Sequence, residues 1–322
     1  MAASTTEPST TGPSTTGPST AEPSTTEAST TEAVPQQNLT DAIRVAVPAR
    51  SLRHDMRAVS IVWRRELIRF KSDRLRAVTA LVQPVLFLFV LGTGLSRLAG
   101  HGLPPGVDFK TFIYPGVLAM SVLFTAIFSA ASIVWDREFG FLREMLVAPV
   151  RRWAIVVGKC LGGATVATFQ GIVFLALAGV AHVPYNPVLL LTLVGELLLL
   201  SFTLTAFGVM MAARIKQIQA FMALTQMLLM PLFFLSGALY PLSGLPTWLT
   251  VLTRIDPLTY IVSPMRHAVF SKLTVSPLAS RTLSPAITWG GWPVPLGLSI
   301  GMVAVMGAVL LGVAIAEFRK TE

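Results

Sequence analysis

PVLLLTLVGELLLLSFTLTAFGVMMAA, residues 187–213, decides the fold class. The run is apolar apart from Glu196, and Arg214 and Lys216 follow directly at its end. A helix of this length crosses a hydrocarbon core of about 30 Å at 1.5 Å per residue. Outward from it, comparable runs occupy 78–98, 112–135, 154–181, 219–240 and 294–316, giving six expected spans. Pro84 and Pro231 fall inside spans, where neighbouring helices can satisfy the carbonyls they free. The chain has 322 residues, 53% of them hydrophobic and 13% charged. Its mean hydropathy of +0.67 argues against the two soluble domains that the length would allow.

The one cysteine, Cys160, lies in an expected span, which excludes an intramolecular disulfide and a cysteine-rich zinc site. His54, His101, His182 and His267 are scattered without metal-ligand spacing, so no metal site is expected. The net charge of +9 comes from basic residues that flank spans. Anionic lipid and topology account for them, and no nucleic acid is expected.

Lys and Arg are distributed unequally about the spans. Arg44 to Arg76 before span one, Arg137, Arg143, Arg151 and Arg152 after span two, Arg214 and Lys216 after span four, and Arg319 and Lys320 in the tail all fall on one side. The other side carries only Lys110, Arg254, Arg266, Lys272, Arg281 and, at a span end, Arg97. The basic-rich side reads as cytoplasmic, with both termini inside.

Residues 1–50 form the first expected domain. Their repeat, STTEPSTTGPSTTGPSTAEPSTTEASTTEA over 4–33, has almost nothing to bury and reads as a disordered cytoplasmic tail. Residues 51–77 read as an amphipathic helix in the membrane interface. Val59, Val62, Trp63, Leu67 and Phe70 share a face, and Arg57, Arg64, Arg65, Lys71 and Arg74 crowd the rest. Trp63 belongs at headgroup depth. Residues 78–322 make the six-span domain.

A charge-dense stretch, DREFGFLREMLVAPVRRW (136–153), separates spans two and three. Phe139, Leu142, Met145 and Leu146 recur at helical spacing, with Phe141 beside them. Asp136, Glu138 and Glu144 suit a helix start and Arg151 and Arg152 its end, which is the order a helix dipole prefers. Pro149 stops the helix, and Gly140 can delay its beginning. A short amphipathic helix of this kind gains stability by docking into a partner's groove. The alternative is a loop whose apolar residues dip into lipid.

Residues 57–320 resemble an ABC-2 type transporter permease of the drug-exporter and nodulation-factor exporter branch. Three blocks carry the resemblance in order: WRRELIRFKSDRLRAVTALVQPVLFLFVLG, then DFKTFIYPGVLAMSVLFTAIFSAASIVWDREFGFLREMLVAPVRRW, then FFLSGALYPLSGLPTWLTVLTRIDPLTYIVSPMRHAVF. The resemblance implies an all-α integral membrane fold with six spans, an N-terminal interfacial helix, and short re-entrant outer helices between spans five and six. It implies a permease subunit with a second copy or paralogue beside it, and a separate ATP-binding subunit that holds ATP and Mg. Spans one, two and five would line the pathway between the two permease copies. Glu138, Phe139, Phe141, Leu142, Arg143, Glu144, Met145 and Leu146 would receive the motion of the ATPase. The expected cargo is a small amphiphile (a drug, natural product or lipid-linked glycan) leaving a bacterium across its plasma membrane.

The chain has no GxxxxGK[ST] phosphate loop; the nearest fragment, Gly158-Lys159-Cys160, starts a span. No catalytic residue and no cofactor of its own are therefore expected. Between spans five and six, Pro246 and Pro257 suit the first turns of two short helices, the second of which Pro264 is expected to interrupt. An external loop over 271–293 follows. Glu196 is the one acidic residue in span four. It reads as packing glue, as a lining of the transport path, or as a proton site. The last underlies the alternative function, a proton-coupled secondary transporter. Gly158 with Gly162, Gly208 with Ala212, and Gly297 with Gly301 permit close helix contact.

Overall fold

The computed structural model describes residues 52–96, 107–140, 150–242, 244–273, 283, 287–289 and 292–320. The expected tail, residues 1–50, lies outside them.

The first helix, α1 (Leu52–Ser72), turns at Asp73 into α2 (Arg74–Leu86). Span one begins in α2 and continues through a π-helical turn, Phe87–Leu91, to Gly94. That wider turn follows Pro84, whose ring displaces the carbonyl one turn upstream. Span two is α3 (Phe109–Ser129) and α4 (Ala131–Glu138). Span three is α5 (Arg152–Leu175), closed by the 3-10 turn Ala176–Ala181. Span four is α6 (Pro187–Arg214), entered through Asn186, whose side chain accepts from the amides of Val188 and Leu189. Span five is α7 (Ile218–Leu235). Two short helices follow, α8 (Thr247–Ile255) and α9 (Thr259–Phe270). A two-stranded antiparallel hairpin, β1 (Thr288–Trp289) and β2 (Trp292–Pro293), precedes span six, α10 (Leu296–Lys320). The sequence reading treated that hairpin as loop, because strands of two residues leave no periodic signal.

Among the described residues six helices are long and apolar enough to cross a membrane, as the hydropathy pattern predicts. Span two is the most buried of them and packs against spans three and four. Spans one, five and six keep most of their surface exposed. The glycine pairs sort themselves by environment. A Cβ on Gly158 would meet Val62 and one on Gly162 would meet Glu66, so this pair seats α1 on span three. Gly208 faces Ile127 and Ala130 of span two, whereas Gly297 and Gly301 face open space.

The α1 face differs in composition from the expected one. Its buried stripe is Asp55, Val59, Val62 and Glu66, lying on span three. Trp63 is half-buried and donates its indole N–H to Thr165 Oγ1 at 3.1 Å. Phe70 meets Phe169 edge-on at 6.2 Å between ring centroids. The two carboxylates are drawn into the stripe because span three and the turn before it offer cations. The helix also ends at Ser72 rather than at 77, and residues 74–77 start the next helix.

At the opposite end, α9 is buried among spans two, four and six. Helix α8 leaves Trp248, Val251, Leu252 and Ile255 exposed. Pro264 lies within α9 without interrupting it, contrary to expectation. Arg266 of α9 is buried, stacks over the Phe112 ring at 4.3 Å, and donates to the carbonyls of Gly237 (2.7 Å) and Ala238 (3.1 Å). It thereby ties the end of span five to α9.

Asp256, outside the six spans, is buried in the turn between α8 and α9. Its Oδ1 accepts from the Leu258 amide at 3.0 Å and its Oδ2 from the Thr259 hydroxyl at 3.4 Å. Burial pushes this carboxyl up to about 8 from an ordinary 3.8, outweighing the lowering effect of those two bonds. Between these limits the folded chain holds a proton that the unfolded chain has released. The group's contribution to stability is full below the unfolded value and is lost as pH rises through the folded one, at up to about 1.4 kcal/mol per pH unit. Thermal stability is expected to fall from about pH 4 to about pH 8, and Asp256→Asn to flatten that fall. Equal slopes in the two proteins would refute the assignment.

Candidate functional site

The charge-dense stretch after span two does not begin a new helix at Asp136. Asp136 and Glu138 stand in the last turn of α4, Phe139 caps it, and Gly140 takes a left-handed φ of 82° that ends it. Two carboxylates at a helix C-terminus oppose the helix dipole, so each needs a partner elsewhere. Both have one. Phe141, Leu142, Arg143, Glu144, Met145 and Leu146 lie outside the described residues. Phe139 is exposed.

Asp136 joins a buried cluster centred on Lys159 of span three. The Lys159 ammonium donates to Asp136 Oδ2 at 2.6 Å and Ser132 Oγ at 3.0 Å, and it forms an ion pair with Glu66 Oε1 at 2.8 Å. Asp136 Oδ1 accepts from Arg65 at 2.7 Å, and Arg69 approaches within 4.0 Å while lying over the Trp135 ring. Lys159, Glu66 and Asp136 are all more than nine-tenths buried. Arg65, Lys159, Glu66 and Asp136 balance in charge. The cluster joins α1, the end of span two and span three at one point. Arg64, beside Arg65, stays exposed.

Three neighbouring contacts act on helix ends. Arg137 donates to the carbonyls of Ala212 (3.0 Å), Ala213 (3.1 Å) and Ile215 (2.6 Å), closing the C-terminus of span four. Glu138 Oε2 accepts from the Ile218 amide at 3.0 Å, capping the N-terminus of span five. Past the undescribed residues, Arg152 donates to the carbonyls of Phe318 (3.4 Å) and Arg319 (3.2 Å) at the end of span six. Arg151 meets Asp55 of α1 at 3.4 Å. The flanks of 141–149 are thus bonded to α1 and to spans three, four, five and six.

Of the residues singled out by sequence, Arg65, Asp136 and Glu138 come together in this assembly. Lys159, Glu66 and Arg137 were missed as members of it. A lone lysine within an apolar run was the available signal for Lys159, since such a residue must find a counter-charge. Glu196 stands apart in span four, 6% exposed, and its Oε2 has no hydrogen-bond partner among the described residues.

Directly beside the Lys159 cluster lies a cavity of about 320 Å³ between the α1–α2 elbow and spans two, three and five. Phe70, Phe124, Phe128 and Met222 give it apolar walls, Gln83, Thr125 and Gln170 supply neutral polar groups, and Glu66, Arg69 and Asp73 line it on the elbow side. Phe124 and Phe128 stack at 6.3 Å.

Residues 57–270 match the family of ABC-2 type transporters. The chain is 28% identical over 209 residues to a protein of Cyanophora paradoxa named "Putative transport permease ycf38", covering 64% of this chain and 72% of that one. It is 32% identical over 227 residues to a protein of Escherichia coli K12 named "Probable multidrug ABC transporter permease YbhR", covering 67% of this chain and 54% of that one. The third relative is nodulation protein J of Rhizobium leguminosarum bv. trifolii, 29% identical over 211 residues, with 64% and 78% covered. The match thus spans little more than half of the Escherichia coli protein.

Proposed function

From the premise that this chain belongs to the ABC-2 type transporter family, as a multi-pass membrane permease, we propose that it is the transmembrane subunit of an ATP-driven exporter. A separate ATPase subunit binds ATP and Mg and docks on the 138–146 segment, where Glu138, Phe139, Phe141, Leu142, Arg143, Glu144, Met145 and Leu146 receive its motion. A second permease, copy or paralogue, completes the pathway. The basic-rich end faces the cytoplasm of a bacterium, both termini are on that side, and the cargo is a small amphiphile.

One observation carries this reading. The residues flanking 141–149 bond to the ends of spans four, five and six and to the Lys159 cluster. A push on the intervening segment therefore reaches those spans through hydrogen bonds rather than through a slack loop. That arrangement suits a transmission element.

The test is co-purification with the ATPase subunit, comparing wild type with Phe139→Ala/Leu142→Ala. The variant is expected to insert normally and to lose most of the bound subunit. Full retention of the ATPase by an inserted double variant would remove the segment from the interface. The proton-coupled alternative draws on one observation, the unpartnered Oε2 of buried Glu196. It requires transport that persists without any ATPase subunit.

A further inference from the structure

A second hollow lies on the outer side of the α1–α2 elbow, a crevice of about 620 Å³ between the elbow and span three. Its walls are apolar, with Leu67, Val78 and Phe169 among them. Two cations, Lys71 and Arg74, also line it, both exposed, and among the described residues no carboxylate does. This crevice and the 320 Å³ cavity share three residues, Phe70, Ala77 and Val166. Those three form the partition between them. The Ala77 carbonyl is held by Gln170 Nε2 at 3.2 Å, which fixes the backbone part of the wall. Phe70 is the part able to turn, as a half-buried ring held against Phe169 by one edge-on contact.

We propose that the crevice binds an anionic phospholipid of the surrounding leaflet and that Phe70 gates the passage of its acyl chain into the inner cavity. The chemistry of each part selects this occupant. Lys71 and Arg74 stand at the elbow, where the interfacial helix meets the span, so they lie at headgroup level. A phosphate there takes a fork of hydrogen bonds from the guanidinium and a point charge from the ammonium. The apolar walls below suit a chain, and both hollows fall in the size range of small-molecule sites. Ile68 of α1 and Leu75 and Val82 of α2 are also exposed, which suits a lipid-facing surface on these two helices. The inner cavity then offers the chain Phe124 and Phe128.

The inference rests on the membrane-embedded reading of the chain and not on its ATPase partner, so its test omits ATP and the partner. The full-length protein is placed in phosphatidylcholine nanodiscs containing a minor fraction of phosphatidylglycerol that carries a photoreactive group near the end of one acyl chain. After irradiation the labelled peptides are mapped. A parallel sample carries the same group on phosphatidylcholine. The expected result is labelling of the span-three segment around Phe169 by the phosphatidylglycerol probe. Lys71→Gln/Arg74→Gln lowers it about thirtyfold, since each of the two basic residues near the surface contributes roughly a fivefold attraction. Phe70→Ala moves label to the span-two segment around Phe128, and Phe70→Trp keeps it at Phe169. Equal labelling by the two headgroups, or no loss in the double variant, would reduce the crevice to ordinary annular contact and overturn the site. Label that stays at Phe169 in Phe70→Ala would overturn the gate. All three substituted positions are at the protein surface or a cavity wall, and a monodisperse elution profile confirms that each variant is folded.

Discussion

Lys159→Met is expected to lower folding stability by roughly 3–5 kcal/mol, the range for breaking a buried ion pair from one side. The ammonium neutralises Glu66 and Asp136 at 2.8 and 2.6 Å, and both carboxylates are buried. Removing it leaves two like charges facing each other in a low dielectric, and only Asp136 retains a close cation, Arg65. The loss is read as a fall in melting temperature of the purified protein and as weaker insertion. Adding Glu66→Gln to Lys159→Met is expected to recover part of it, because the stranded charge is then removed. Adding Asp136→Asn to that double variant takes from Arg65 the carboxylate it pairs with, and is expected to recover no further stability. If the double variant is no more stable than Lys159→Met, the cluster does not act as a charge-balanced unit.

Gly116→Ala is expected to cost about 3 kcal/mol, at the upper end of ordinary overpacking. A Cβ at this position would lie 2.5 Å from both Cα and Cβ of Ala238 and 2.7 Å from its carbonyl oxygen. Backbone cannot rotate away as a flexible side chain does, so the turn after span five must shift bodily. Its carbonyls at Gly237 and Ala238 are the acceptors of Arg266. The displacement therefore also strips partners from a buried cation, whose Nε already has none among the described residues. Gly301→Ala is the control, because nothing lies within 4 Å of its added methyl and the helix gains propensity. Thermal unfolding of the two variants side by side checks the claim. Equal melting temperatures would mean that the span-two crossing is looser than its geometry implies.

The six spans were legible before any coordinates because hydropathy sums along the chain, one residue after another. Their observed ends lie within a few residues of the expected ones. The interfacial helix was legible as a helix, yet its buried stripe was not. Asp55 and Glu66 look like solvent-facing acids beside so many arginines, and only span three, with Lys159, gives them a reason to turn inward. Asp136 and Glu138 were assigned to the start of a helix because acids before an apolar run favour that position. They end a helix instead, each satisfied by a group far along the chain, Lys159 or the Ile218 amide. The residues from Phe141 to Leu146 carry the strongest resemblance to the family and lie outside the described residues, so their role rests on the flanks.

The sequence by itself determined that this chain crosses a membrane six times and which family it belongs to. Both follow from local quantities: the transfer of each side chain into hydrocarbon, and the order of short motifs. Only the tertiary structure decided which intramembrane polar groups act together. Lys159 gained two carboxylates, Arg137 closed a helix from another span, Arg266 clamped a turn, and Glu196 kept an oxygen without a hydrogen-bond partner among the described residues. Pairing in a low dielectric depends on a few ångströms between elements remote in sequence, and that separation exists only once the helices have packed.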